Sequence, residues 1–291
     1  MSAKKDLGFV RVRPAPFDPD AALTLDPGAV TDWLVTFLRQ EVIQHRGFQR
    51  GIVALSGGVD SAVATALCAR AFGPANVWAL RLPHDRSSPE SLQHAGLVAE
   101  RLGVNVDTIE ITAAVEGYCA GVEGITARRR GNVMARVRML VLFDQGESRG
   151  ALPIGTGNKT ERLLGYFTWH ADDTPPVNPL GDLYKTQIWA LARHLGVPEE
   201  IVSKPATADL EVGQTDEGDI GVTYPQADRI LHLVLTGLDD EEIAAKGFDR
   251  AEVELVRKRL DGTHWKRALP TVAMLSETAI GEFYLRPVDY R

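Results

Sequence analysis

Cysteine is scarce in this sequence, with Cys68 and Cys119 the two among 291 residues. That excludes a fold stapled by a disulfide framework. Cys68 closes the run 62–68, which reads as the buried face of a helix, so free thiols and a reducing compartment are expected. No stretch approaches the roughly 20 apolar residues that cross a bilayer. The opening segment carries charges but no apolar core of a secretion signal, so the expected location is cytoplasmic. Positive charge is in deficit, with 32 Lys and Arg against 39 Asp and Glu, a formal net charge of -7. That argues against non-specific nucleic-acid binding. It leaves room for an anionic small ligand, because a pocket can be basic where the surface is acidic. The short run Arg128-Arg129-Arg130 reads as a solvated stretch before a helix rather than a nucleic-acid patch. His170 and His264 have no companion at metal-ligand spacing. There is no internal repeat and no low-complexity tract.

What is present alternates in type. Residues 1–25 read as an arm with proline and aspartate turns. Apolar residues at helical spacing follow an Asp26-Pro27 start over 30–43, and Trp33, like Trp78, reads as core. Strands are expected over 51–55, 76–82, 104–111 and 151–154. Helices are expected over 60–72, 89–102 (capped by Ser87 or Ser88), 130–145, and from 184 to 195, the last ended by Gly196. Strands separated by helices imply parallel pairing, so the expected class is α/β with a doubly wound, mostly parallel sheet and helices on both faces. Residues 204–223 read as a long glycine- and acid-rich loop, of a length that is usually functional. A helical C-terminal part is expected over 225–262, with an acidic start at 239–242, and an irregular tail after 270.

The sharpest local signal is Leu55-Ser56-Gly57-Gly58-Val59-Asp60-Ser61, which follows a strand and opens a helix. Two residues without Cβ atoms let the backbone approach a phosphate closely. Ser56 and Ser61 supply hydroxyls, and the free N–H groups of a helix start favour an anion. Asp60 beside phosphate makes sense with a Mg²⁺ ion between them. The string lacks the Gly-Lys-Ser/Thr ending of a Walker A loop and contains no lysine.

This string resembles the PP-loop of N-type ATP pyrophosphatases, and further segments narrow the likeness. They are Arg81-Leu82-Pro83-His84, 131–139, Gly155-Thr156-Gly157-Asn158-Lys159-Thr160-Glu161, 165–168, 179–186, 205–210 and Lys266-Arg267. In order, over about residues 30 to 270, the series looks like the NAD synthetases. The resemblance implies an adenine nucleotide α-hydrolase-like fold and an ATP-dependent ligase. Such an enzyme adenylylates the nicotinate carboxylate of deamido-NAD, and ammonia then displaces AMP. It implies that Leu55, Ser56, Gly57, Gly58, Val59, Asp60, Ser61, Arg81, Thr156, Lys185 and Thr207 bind ATP. Asp60 and Glu161 hold Mg²⁺, and Asp60, Glu161 and Lys185 carry the chemistry. Arg136, Trp169, Asp172, Trp265 and Lys266 contact the pyridine dinucleotide. The lysine neutralises charge on the leaving pyrophosphate. Only about 50 residues precede the nucleotide loop, too few for a glutamine amidase domain, so free ammonia or a separate glutaminase is expected, and a homodimer with it.

Two positions depart from the family's pattern. Trp169 stands where the bacterial pattern has a lysine, and Pro176 where it has an aspartate. Asp172 or Asp173 could stand in for the acid, and Arg162 or Lys159 for the cation. These departures keep nicotinate mononucleotide open as an alternative substrate. A catalytically silent nucleotide-binding regulator is a further alternative, against which the paired acids Asp60 and Glu161 argue. The expected organisation is an arm over 1–25, one synthetase domain over 26–270 with a lid near 204–223, and a tail over 271–291.

Overall fold

In this computed structural model the described residues are 18, 21–207, 213, 215–268 and 271–275. Four parallel strands, β1 (Arg50–Ala54), β2 (Val77–Arg81), β3 (Asn105–Thr108) and β4 (Ala151–Pro153), form one sheet in the order β3-β2-β1-β4. Ile52 faces Trp78 on one side and Pro153 on the other. A parallel bridge from Ile154 to Val177 extends the β4 edge. The order runs outward from β1 to β3 and then returns to the far side of β1. That reversal between β1 and β4 is where open α/β sheets part their loops and take ligands.

The period-2 alternation of a strand builds both faces. Val53, Leu55, Val77 and Ala79 join one apolar core with α1 (Pro27–Leu38), α2 (Val59–Phe72), α3 (Pro89–Leu102) and α7 (Lys185–Leu195). Ile52 and Leu80 point the other way, against α4 (Thr112–Cys119) and α5 (Ala127–Arg149). The first core also takes α8 (Glu199–Val202) through Ile201 and Val202, and a third core holds α6 (Lys159–Leu164) and the helical C-terminal part. That part comprises α9 (Asp216–Ile220), α10 (Tyr224–Leu235), α11 (Asp240–Ala244) and α12 (Arg250–Gly262). Among the described residues no helix is long and apolar enough to cross a membrane.

Local chemistry sets the boundaries. Asp26 caps α1 by accepting from the N–H of Gly28 and Ala29. Gly150 and Gly196 end α5 and α7 in the left-handed conformation that glycine adopts without strain. The acidic start at 239 is a capping box in which Asp239 and Glu242 satisfy each other's backbone N–H. Cys68 is buried on α2 and both thiols are free.

Several expectations need correction. Trp33 is not core. It is 64% exposed, because the buried stripe of α1 is Thr31, Leu34, Val35 and Leu38, and Trp33 lies off it. Trp78 is half-buried, with the Arg50 guanidinium over its ring. The helix expected over 130–145 runs from Ala127 to Arg149. Its first turn is arginine and its start is marked by the Thr126 cap, a signal that apolar periodicity does not carry. The loop expected over 204–223 contains α9, opened by Thr215. The middle of the expected lid, 208–212 and 214, lies outside the described residues, as do most of the arm and the tail.

Candidate active site

The loop after β1 bends at Gly57, whose φ is +84°. A Cβ there would stand 2.1 Å from the Ser91 carbonyl oxygen, so no other residue fits without moving α3. The Ser56 and Ser61 hydroxyls lie 3.0 Å apart, and Ser61 Oγ donates to the Gly58 carbonyl at 3.0 Å. This lattice fixes the loop. Gly58 is the N-cap of α2 and offers no side chain, so the first N–H groups of the helix stay open to an anion.

Three helix starts converge beside that loop. Asp60 comes from α2, Glu161 from α6 and Lys185 from α7. Lys185 is 2% exposed, and its Nζ donates to Asp60 Oδ2 at 2.5 Å and to Glu161 Oε1 at 3.2 Å. Asn158 Nδ2 donates to Asp60 Oδ1 at 2.9 Å, while Asn158 Oδ1 caps α6 by accepting from the Glu161 N–H. Tyr224 Oη donates to Asp216 Oδ2 at 2.9 Å and lies 3.5 Å from Glu161 Oε1, and Lys185 Nζ sits 5.1 Å from the Tyr224 ring centre. Burial disfavours the Lys185 charge, but Asp60 and Glu161 outweigh it and its pKa rises. The same lysine lies closer to Asp60 than to Glu161. Burial lifts Glu161 to about 8 against the pull of Lys185, and lifts Asp216 as well. Asp216 Oδ1 is buried without a hydrogen-bond partner.

Glu161 couples the stability of the fold to pH. Its folded pKa, about 8, lies above its unfolded value of 4.5. The folded state therefore holds a proton that the unfolded chain gives up, and stability falls as pH rises through that interval. Glu161→Gln removes the titration. Its Tm advantage over the parent protein, measured without ligands, is expected to grow by a few degrees from pH 6 to pH 8. A constant offset between the two proteins across that range would show that Glu161 titrates normally.

These groups floor a cleft of about 1060 Å³, above the upper end of a single small-molecule site. Leu55, Ser56, Gly58, Val59, Asp60, Ser61, Arg81, Thr156, Glu161, Lys185, Thr207, Asp172 and Lys266 line it. Burial raises Asp172 to about 6, and Thr168 N–H donates to its Oδ1 at 2.9 Å. Lys266 is no idle surface lysine, because its Nζ donates to the carbonyls of Gly165 and Phe167 and lies 4.1 Å from the Phe167 ring centre.

Arg136, Trp169 and Trp265 gather apart from that lining. Arg136 Nη2 donates to the Trp169 carbonyl at 3.0 Å. The Trp169 ring lies 3.9 Å from that of His170, tilted by 35°, and makes an edge-to-face pair with Trp265 at 5.2 Å. His170 carries the one positive φ of a non-glycine among the described residues, a modest strain within this segment. Of the groups proposed to replace the missing family cation, Lys159 is engaged with Asp182 at 2.8 Å and lies over Tyr184. Arg128 and Arg129 are exposed on the cleft wall, while Arg130 pairs with Glu116. The basic run is therefore partly a cleft feature.

Sequence reading missed Asn158 as a partner of Asp60, and missed Asp216, Tyr224 and Asp228. Asn158 was legible as the first member of an Asn-x-x-Glu cap. The other three reach the site only by tertiary packing.

The NAD synthase family matches residues 30–270. The NH(3)-dependent NAD(+) synthetase of Chlorobaculum parvum is 45% identical over 270 residues, 92% of this chain and 95% of that protein. The protein of that name from Fusobacterium nucleatum is 42% identical, over 87% and 98%. Among solved structures, the NMN synthetase of Francisella tularensis superposes with a TM-score of 0.77 at 31% identity, over 87% of this chain and all of that one. The NH3-dependent NAD synthetase of Campylobacter jejuni gives 0.73 at 29%, over 86% and 100%. With the nucleotide loop, the buried Asp60-Lys185-Glu161 group and a match covering most of its length, this chain belongs to the NAD synthase family.

Proposed function

We infer that this chain is an ammonia-dependent NAD synthetase, a ligase that consumes ATP to amidate deamido-NAD. The observation that carries the residue assignment is the meeting of Asp60, Glu161 and Lys185 at three helix starts on the floor of one cleft. A carboxylate oxygen of the nicotinate attacks the α-phosphorus of ATP and pyrophosphate leaves. Ammonia then adds to the acyl carbon, AMP departs and a proton is lost. The open N–H groups of α2 and the Ser56 and Ser61 hydroxyls suit the triphosphate. Lys185, already charged and desolvated, suits the charge that grows on the leaving pyrophosphate.

The donor set fits Mg²⁺. That ion is usually held by one or two carboxylates and completed by phosphate oxygens, and Asp60 and Glu161 are two carboxylates on separate elements beside an anion site. Bound there, it would neutralise phosphate charge. Arg136, Trp169, Asp172, Trp265 and Lys266 are proposed to hold the pyridine nucleotide, with the indole of Trp169 offering a stacking face in place of a cation. Residues 26–270 are proposed to work as one domain, since α10 and α2 both pack on α7. A homodimer is proposed from the exposed apolar side chains Leu140 and Phe143 of α5, and sedimentation measures it. A cytoplasmic location accords with two free, buried cysteines.

Nicotinate mononucleotide remains a second reading, favoured by the likeness to the Francisella tularensis enzyme and by Trp169 and Pro176. One assay covers both readings. Purified protein is given ATP, Mg²⁺ and either deamido-NAD or nicotinate mononucleotide, with ammonium or glutamine. Deamido-NAD with ammonium is expected to give the highest kcat/KM and glutamine to give none. Turnover on the mononucleotide alone would shift the substrate assignment, and no ATP cleavage with either would end it.

A further inference from the structure

Asp228 lies in the second turn of α10, outside the cleft lining, with no exposure at all. A carboxylate inside an apolar core is costly unless its oxygens are satisfied. Its neighbours in the core, Ala227, Ile230 and Leu231, are apolar. Among the described residues its three side-chain hydrogen bonds all come from residues that flank the site. Thr160 Oγ1 donates to Oδ1 at 2.5 Å. The backbone N–H and the hydroxyl of Thr186 donate to Oδ2 at 2.9 and 2.8 Å. Thr160 immediately precedes Glu161, and Thr186 immediately follows Lys185. Thr160 Oγ1 in turn accepts from the Lys185 N–H at 3.0 Å.

The first two N–H groups of α7 are thus satisfied from outside their own helix, one by Asp228 directly and one through Thr160. A helix start has orphan donors and a partial positive charge, and a buried carboxylate answers both. The same carboxylate ties α7 to α6. Tyr224 stands four residues before Asp228, hence on the same face of α10. It reaches Glu161 and Asp216 and lies against the Lys185 ammonium.

We propose that Asp228 is a positioning residue for the reaction. It is a remote cap that fixes the starts of α6 and α7, and thereby the separation of Glu161 from Lys185, while Tyr224 on the same helix face sets their side chains. The proposal rests on the synthetase reading above. A displacement near 1 Å at such groups is enough for about a 10²-fold loss of rate.

The test uses the full chain with ATP, Mg²⁺, deamido-NAD and ammonium, at a temperature where circular dichroism reports each variant folded. Asp228→Ala is expected to lower kcat about 100-fold while changing KM for deamido-NAD less than threefold, because the groups proposed to hold the dinucleotide, Arg136, Trp169, Asp172, Trp265 and Lys266, lie outside the α6 and α7 starts. Asp228→Asn, which keeps an acceptor toward Thr186, is expected to recover kcat to within about fivefold of the parent. Thr160→Val keeps the volume and removes the relay to Lys185, so about a tenfold loss of kcat is expected in a protein that still folds, with Tm lowered by a few degrees. The double variant should lose no more than Asp228→Ala alone. A kcat for folded Asp228→Ala within threefold of the parent overturns the proposal, as do losses that multiply in the double variant. Should Asp228→Ala fail to fold, Thr160→Val decides, and full activity in it is the overturning result. A parent protein inactive on deamido-NAD sinks the synthetase reading instead, and that outcome is separate.

Discussion

Lys185→Met is expected to lower pyrophosphate release by about 10³-fold and to leave a protein that is more stable in acid than at neutral pH. The rate term comes from the loss of a preorganised cation where negative charge develops on the leaving group, which is worth about 10²–10³ in comparable cases. Among the described residues Lys185 is the cation paired with Asp60 and Glu161, and the other basic residues of the cleft come from other elements. The stability term comes from the carboxylates. Lys185 is buried against Asp60 and Glu161, and removing one partner of a buried ion pair costs about 3–5 kcal/mol because the remaining charge has no answer. Those carboxylates can escape by taking up protons, which sets the sign. Glu161 and Asp216, both raised by burial and both held down by Lys185, then rise further above their unfolded values, so the cost appears as pH climbs through that window and disappears below it. Scanning calorimetry at pH 5.5 and 8, beside a coupled pyrophosphate assay, measures both. A variant with turnover within tenfold of the parent removes Lys185 from the chemistry. A Tm penalty independent of pH would show that the carboxylates stay charged without it.

The second large effect concerns Asp60→Asn. The amide keeps the shape, and its oxygen can still accept from Asn158 or Lys185, so the fold is expected to stay intact. What it loses is the negative charge beside the anion-binding loop. With Mg²⁺ held by Asp60 and Glu161, removing one of two carboxylate donors is expected to abolish pyrophosphate release, with at least a 10³-fold loss. A readout apart from turnover is the rise in Tm that Mg²⁺ and a non-hydrolysable ATP analogue together give the parent protein. A ligand that binds the folded state alone stabilises it in proportion to its occupancy. The variant should show a smaller rise with the pair, and a rise with nucleotide alone at least equal to the parent's, because the carboxylate no longer repels phosphate. Near-normal turnover in Asp60→Asn would remove the metal role altogether.

The ion group and its backing illustrate what can be read before any fold is known. The loop Ser56 to Ser61 was legible because its chemistry is local, with two residues lacking Cβ atoms, two hydroxyls and a helix start within a few positions. The strand order of types was legible for the same reason, as apolar runs and helical spacing are properties of short windows. Four helices were not, namely α4, α6, α8 and α9. Each is eight residues or shorter, too short for periodicity to register. Trp33 was misread because spacing identifies an amphipathic helix without saying how wide its buried stripe is, and here a residue just off that stripe meets solvent.

By itself, then, the sequence determined the α/β alternation and the nucleotide loop with Asp60 in it, because these are written in contiguous patterns, while Glu161 and Lys185 were singled out by resemblance to the family. Only the tertiary structure decided that the three meet within hydrogen-bond reach across 125 positions of chain, that Lys185 is buried, and that Asp216, Tyr224 and Asp228 stand behind them. The physical reason is the topology. The sheet order carries β4 to the far side of β1, which sets the start of α6 beside the start of α2, and α10 closes over both α6 and α7. Helix starts collect anions and acids wherever they fall in a sequence, but which starts face one another is a property of the packed sheet and helices alone.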